Sequence, residues 1–232
     1  WVTNRTGQTN NVRDIVAFLD LAEKNPFNPQ VNPLAGQNFP NNDVNDLYNR
    51  LTVDANLRVS NNVVSGLNGP NFNFEAIQDY EKTYARLLSK SEYTLNSELG
   101  YISLQTALQP NQVLGVAFKY TYNGQVFQVG ELSRNVPPDS SSVTKTLFVK
   151  MLRSSAIRPD LPTWDLMMKN IYSLGAYQIS PTDFRLDIFY LDPGGGQKRF
   201  IPKGNLSNEQ LIRVLSLDQL NNQGDPQPDG LF

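Results

Sequence analysis

The strongest structural signal in the sequence is a pair of alternating segments joined by Asn123-Gly124. Both residues tolerate a positive φ, which the two-residue type I′ turn requires at both central positions. With the turn placed there, Tyr122 faces Gln125 and the strands pair outward from that point. One face then carries apolar side chains and the other carries polar ones, because side chains alternate along a strand. The apolar face comprises Leu114, Val116, Phe118, Tyr120, Phe127 and Val129, and the polar face Lys119, Thr121 and Gln128. The sequence therefore predicts a half-buried antiparallel hairpin.

The rest of the pattern predicts an α+β fold, in which antiparallel hairpins and a meander over 91–131 pack with two or three helices. Strands are expected at 1–6, 15–23, 93–95, 100–104, 146–152, 184–190 and 199–202. Helices are expected from Asn42 or Asp43 to Leu51, from Thr163 to Leu174 and from Asn208 to Leu217, with a short turn capped by Ser60. Residues 74–88 fit both a helical stripe and an alternating strand, so their structure stays open.

Composition also suggests how the chain is divided. The segment 24–42 is rich in proline and asparagine, which is typical of a loop or linker. We expect an N-terminal part, 1–70, with a strand pair, this loop and short helices. The remainder, 71–232, would contain the meander, a helix with Trp164 and Met167, a second hairpin and a C-terminal helix.

The chain contains neither cysteine nor histidine, which excludes whole classes of chemistry. Catalytic Ser-His-Asp and Cys-His arrangements cannot form within it, nor can Cys/His zinc sites or disulfides. Its 20 Lys and Arg residues are balanced by 22 Asp and Glu residues, without a long run of either sign. A nucleic-acid partner, which requires a basic surface, is therefore not expected. These features exclude catalysis and cofactor binding that depend on cysteine or histidine.

Several short motifs could carry chemistry, but each has a simpler structural explanation. Ser142 to Lys145 matches the Ser-x-x-Lys pattern of serine acyl enzymes, yet it runs into a predicted strand instead of opening a helix. Gly194-Gly195-Gly196 precedes a strand, so it reads as a hairpin loop and not as a phosphate cradle. Asp225 and Asp229 could contribute oxygens to Ca²⁺, although their spacing does not fit an EF-hand loop. No catalytic, cofactor-binding or metal-binding residue is predicted.

The sequence has no apolar run near the roughly 20 residues of a membrane helix. It starts at Trp1 without a preceding signal peptide, and we expect it to be a piece of a longer polypeptide.

Several segments, taken in order, resemble the SprA/Sov family, the outer-membrane translocon of the type IX secretion system in Bacteroidetes. They cover most of the chain: WVTNRT (1–6), DIVAFLDLAE (14–23), LSKSEYTLN (88–96), LGYISL (99–104), YTYNGQVFQVGE (120–131), LPTWDLMMKNIYSLGAY (161–177), DFRLDIFYLDPGGG (183–196) and LNNQGDPQPDG (220–230). The resemblance implies a non-catalytic, soluble internal segment of a very large outer-membrane β-barrel protein. Such a segment would lie in an extracellular cap or on the periplasmic side, and would support export of folded cargo and gliding motility.

Partners also follow from the resemblance and not from the residues themselves. They are the rest of the barrel chain, a PorV-type outer-membrane shuttle protein, a periplasmic plug and secreted cargo. A different hypothesis is an extracellular carbohydrate-binding or adhesive module, which would show several Tyr or Trp side chains exposed in one groove. A glycosidase would instead need two converging carboxylates, and no spacing indicates such a pair.

Overall fold

The computed structural model describes residues 1–5, 7–36, 38–136, 145–168, 180, 185–192, 194–221, 223 and 225–229. Helices and antiparallel hairpins occur together in these residues, which confirms the predicted α+β class. By their contacts the residues form two units, Trp1–Met167 and Met168–Phe232. The strands of the first unit are β1 (Val2–Thr3), β2 (Val12–Phe18), β3 (Tyr80–Arg86), β4 (Tyr93–Asn96), β5 (Tyr101–Leu104), β6 (Leu114–Val116), β7 (Phe118–Tyr122), β8 (Gln125–Val129) and β9 (Leu147–Arg153).

Five of these strands close into a small barrel in the order β1-β3-β2-β9-β6. β2 and β9 run parallel, and the other neighbours run antiparallel. The predicted N-terminal strands both form, but β3 lies between them, so they do not pair with each other. The second strand also ends earlier than predicted, at Phe18, and Ala22 beyond it has a left-handed φ of 67°.

β2 and β9 are buried on both faces. Their inner face lies in the core enclosed by the barrel, and their outer face lies in a second core that is covered by helices. Apolar residues at successive positions, as at Ile15–Phe18, are typical of a strand covered on both sides. The interior of the barrel is filled by Trp1, Ile15, Ala17, Ala85, Val113, Leu147, Val149 and Met151. The outer core contains Val16, Phe18, Leu47, Leu51, Leu57, Val63, Leu67, Tyr80 and Phe148.

The helices of this layer are α1 (Leu47–Val53) and α2 (Val63–Asn68), with a 3₁₀ turn at Ala55–Arg58 between them. The sequence places the start of the first helix at Asn42 or Asp43, which is too early. The side chain of Asn42 instead bonds the backbone of Gly130. Ser60 also does not cap α2, because its hydroxyl donates to Asp14 at 2.7 Å. Side chains predicted as caps thus bind distant elements.

The remaining local predictions for the first unit have mixed outcomes. The ambiguous segment 74–88 contains strand β3, and β4 pairs with β5 as predicted. Where the sequence predicts a helix from Thr163, the structure has a 3₁₀ turn, Pro162–Trp164, with Thr163 inside it. Residues 169–174 of that predicted helix lie outside the described residues.

The second unit contains a hairpin and a short helix: β10 (Tyr190–Asp192), β11 (Gly196–Lys198) and α3 (Leu211–Val214). Asp192 pairs with Gly196, so the glycine-rich segment leads from one strand to the next as predicted. The returning strand is Gly196–Lys198, however, and not the predicted 199–202. The expected strand over 184–190 is largely absent from its described part, and Phe184 lies outside the described residues. α3 is shorter than predicted, since Asn208 and Ser216 have left-handed φ values of 77° and 55°.

The division between the two units does not coincide with the one suggested by composition near residue 70. β2 precedes that position, and its neighbours β3 and β9 follow it. The segment 24–42 does form irregular structure, but it lies within the first unit.

Candidate functional site

The hairpin of β7 and β8 forms a two-stranded sheet of its own in the described residues. Its register is the predicted one, with Tyr122 opposite Gln125 and Tyr120 opposite Phe127. Asn123 and Gly124 have φ values of 48° and 77°, as a type I′ turn requires. The predicted apolar face is wrong in one respect: Leu114 and Val116 belong to the barrel strand β6 and not to this hairpin.

One face of the hairpin forms a contiguous aromatic surface, which we call the aromatic face. Its members are Phe118, Tyr120 and Tyr122 on β7, Phe127 on β8, and Phe39 from the 24–42 loop. Tyr120 stacks on Phe127 with 5.1 Å between ring centroids, and Phe39 lies 4.7 Å from Tyr122. The ring centroids of Phe39 and Phe127 are 5.7 Å apart, so the loop extends the aromatic face beyond the two strands.

The aromatic face is only partly covered within this chain. Phe127 is 7% exposed, whereas Phe118, Phe39 and Tyr122 are 39%, 40% and 48% exposed. Tyr120 is intermediate, and its hydroxyl donates to the carbonyl of Pro40 at 2.8 Å. None of the five side chains is charged at neutral pH, so the surface can contact a partner by apolar packing and by tyrosine hydroxyl groups.

A buried carboxylate fixes the base of the hairpin. Glu131 follows β8, and its side chain is 2% exposed. It accepts from Arg58 Nη1 at 2.6 Å, from the hydroxyl of Tyr48 at 3.1 Å and from the backbone N–H of Phe148 at 2.9 Å. Arg58 also lies over the ring of Phe148, 4.2 Å from its centroid. Burial, reinforced by the negative charge of Glu131, raises the pKa of Tyr48 to about 12.

Two asparagines of the 24–42 loop bind the outer edge and the end of β8. Asn42 accepts from the N–H of Gly130 at 2.8 Å and donates to its carbonyl at 3.1 Å. The backbone N–H of Asn42 donates to Gln128 O at 2.8 Å, and Gln128 N–H donates to Asn41 Oδ1 at 3.1 Å. The turn at Asn41-Asn42 thus covers the outward backbone groups of Gln128 on β8. Sequence analysis missed this role, although paired asparagines next to a proline indicate side-chain bonds to backbone.

An open cavity of about 510 Å³ lies at one end of the barrel. Arg5, Arg86, Glu92, Leu104 and Gln112 are among its lining residues. Glu92 pairs with Arg86 at 2.7 Å, and an N–H bond from Ser89 together with Arg86 lowers its pKa. Among the described residues that line the cavity, Glu92 is the one carboxylate, so they do not supply the paired acids that glycoside hydrolysis needs.

The motifs singled out by sequence fall in different places. Ser142 lies outside the described residues, and Lys145 pairs with Val59 in an isolated antiparallel bridge. The backbone N–H of Asp229 donates to Asp218 at 3.1 Å, while that of Asp225 donates to Asn221 Oδ1 at 2.9 Å. Among the described residues, no group of three or more acidic side chains could hold a metal ion.

No protein-family model matches the chain, and no curated protein matches it. In the part of the chain that the structure describes, no helix has the length and apolar character needed to cross a membrane.

Proposed function

We propose that this chain is a non-catalytic soluble segment of an outer-membrane protein-translocation channel of the type IX secretion system. In that role it supports export of folded cargo and gliding motility. The observation that carries the proposal is the uncharged aromatic face, held on a firmly anchored hairpin and left 39–48% exposed at three of its rings. A contiguous exposed apolar surface on a folded domain is typical of a contact surface for another protein.

The anchoring of the hairpin fits a structural role. A surface used for packing against a large protein gains affinity when it is held in place before contact, because less conformational entropy is lost on binding. Glu131 and Asn42, whose side chain bonds the backbone of Gly130, provide this together at the end of β8. The proposed partner of the aromatic face is the outer-membrane β-barrel of the same polypeptide. The PorV-type shuttle, the periplasmic plug and cargo are proposed partners of the whole protein.

The low charge of the chain is consistent with a conduit. Ion pairs give specificity and slow dissociation, whereas a wall past which many cargoes move must not retain any of them. The chain has a net charge of −2 with no long run of one sign. Strong, salt-sensitive cargo binding by this chain would contradict this part of the proposal.

The deciding experiment inserts a protease site into the Gly194–Gly196 connection of the full-length protein and treats intact cells with the protease. Gly194 and Gly195 are exposed and lie between β10 and β11, so an insertion between these two residues should leave the strands intact. Cleavage of a membrane-bound product indicates an extracellular cap. Protection that ends when the outer membrane is opened indicates the periplasmic side. A full-length product that never fractionates with the membrane refutes the translocon proposal.

The aromatic face also favours a second candidate, an extracellular carbohydrate-binding or adhesive module. Exposed Tyr122 and Phe39, with ring centroids 4.7 Å apart, provide aromatic surface on which a sugar ring could stack. The tryptophans give less support, since Trp1 is buried and Trp164 is half-buried. Glycan binding by this chain that is lost in Tyr122→Ala would favour this function over translocation.

A further inference from the structure

The outer edge of β7 offers unpaired backbone groups. In a hairpin with a two-residue turn, the residues next to the turn bond to each other, and every second pair away from it does the same. The residues between, Lys119 and Thr121, therefore direct their N–H and C=O groups away from β8. Both residues are exposed, and within the described part of the chain no hydrogen bond reaches these groups.

The opposite edge of the same hairpin shows what such groups bind. Gln128 on β8 is also directed outward, and its N–H and C=O bond Asn41 and Asn42. Two loop asparagines thus already bind one edge of the hairpin, while no described residue bonds the outward groups of the other edge. An open edge strand beside an exposed apolar face is a site for the addition of a further strand.

We infer that the edge of β7 receives an extended β-strand from the remainder of the polypeptide to which this chain belongs. The inference rests on the proposed function only in taking this chain as part of a longer polypeptide. Side chains alternate along the incoming strand, so those on one side would extend the aromatic face beside Tyr120. Those on the other side would lie beside Lys119 and Thr121, where acidic or hydroxyl side chains fit best.

The size of the surface favours a strand of the same polypeptide over a second copy of the chain. The exposed parts of Phe39, Phe118 and Tyr122 amount to roughly 250 Å², if a whole aromatic side chain contributes about 200 Å². A stable complex of separate proteins typically buries about 800 Å² on each partner. A tethered strand needs less contact, because its effective concentration reaches about the millimolar range.

The experiment uses the full-length protein, purified from its host in detergent or in buffer according to where it fractionates. Limited digestion with trypsin reports cleavage after Lys119, and amide hydrogen exchange reports the N–H groups of Lys119 and Thr121. We expect no cleavage after Lys119 while the protein is native. We also expect both amides to exchange at least about tenfold more slowly than amides without a bond partner. Cleavage there, or rapid exchange of both amides, overturns the inference without any variant.

Two matched proline variants test whether the protection comes from strand addition. Thr121→Pro removes an outward N–H on β7, and Val126→Pro removes an outward N–H on β8, so both leave the bonds between the two strands in place. Cleavage after Lys119 in Thr121→Pro but not in Val126→Pro supports the inference. Cleavage in both variants shows that the hairpin itself gave the protection, which overturns it. Protection that is lost on dilution to the monomer identifies a second copy as the occupant and overturns it as well.

These outcomes are independent of the translocon proposal. The readout is the state of one peptide bond and two amides in the full-length polypeptide, whether that polypeptide lies in the outer membrane or not. Failure of the translocon proposal appears in cell fractionation, and failure of strand addition appears at Lys119.

Discussion

Glu131 and Arg58 form an ion pair across 73 residues of sequence, with Arg58 Nη1 2.6 Å from Glu131 Oε2. Arg58 ends the 3₁₀ turn of the helical layer, and Glu131 lies two residues after the end of β8. The same carboxylate accepts the backbone N–H of Phe148 on β9. One buried acidic group therefore joins the helical layer, the barrel and the hairpin that carries the aromatic face.

Glu131→Gln should destabilise the chain by about 3 kcal/mol, because it leaves Arg58 without a counter-ion in a largely buried site. This is the lower end of the range for breaking a buried pair, since Arg58 is 19% exposed. Urea unfolding at neutral pH measures the effect. Asp160→Asn is the control, because Asp160 pairs with Arg158 on the surface, and its unfolding midpoint should stay that of the wild type. A loss below about 1 kcal/mol in Glu131→Gln would show that the pair is not a main anchor of the fold.

Gly115→Ala should cost about 1–3 kcal/mol through overpacking inside the barrel. A Cβ at this position would lie 2.6 Å from Val149 Cγ2 and 3.6 Å from Ile15 Cδ1. Val149 is fully buried on β9, so it has little room to move. Urea unfolding of Gly115→Ala, Val149→Ala and the double variant forms a thermodynamic cycle. Gly115→Ala should cost less when Val149 is already alanine, and equal costs in both backgrounds would contradict the clash.

The β7–β8 hairpin could be predicted from sequence because its information is local. A two-residue turn at Asn123-Gly124 leaves one register, and alternation then assigns each side chain to a face. Even there the sequence could not show that the chain leaves this sheet at Ala117 and that Leu114 and Val116 join the barrel. That change depends on pairing with β9, which lies far along the chain.

The barrel could not be predicted for the same physical reason. Its closure requires β3 to lie between β1 and β2 and requires β9 to run parallel to β2, and both arrangements join distant segments. A polar side chain near a helix start also has two possible uses, to cap the helix or to bind elsewhere. Asn42 and Ser60 both bind elsewhere, and the aromatic face depends on Phe39 of a loop whose path no local pattern indicates.

Stability should fall at alkaline pH through Tyr48. Its folded-state pKa is raised to about 12 by burial and by Glu131, against an ordinary value near 10. A group whose pKa is higher in the folded state than in the unfolded state contributes its full stabilisation at pH values below the unfolded-state pKa. That stabilisation is lost as the pH rises through the folded-state pKa, so the loss should run from about pH 10 to 12. Absorbance at tyrosine wavelengths should show one phenol titrating near 12. Tyr48→Phe should remove that phenol and flatten this part of the stability profile, and an unchanged profile would contradict the assignment.

Replacing Phe118 and Tyr122 together by serine should impair export of cargo without unfolding the chain, because both side chains are already 39–48% exposed. Loss of each apolar contact should weaken packing against the rest of the channel by about 1–2 kcal/mol, which is about five- to thirtyfold in the equilibrium constant. The amount of cargo in the culture medium measures the effect. Val126→Ser is the matched control, since Val126 lies on the opposite face and is 67% exposed. Normal export in the double variant, or an equal defect in the control, would show that the aromatic face is not the contact surface.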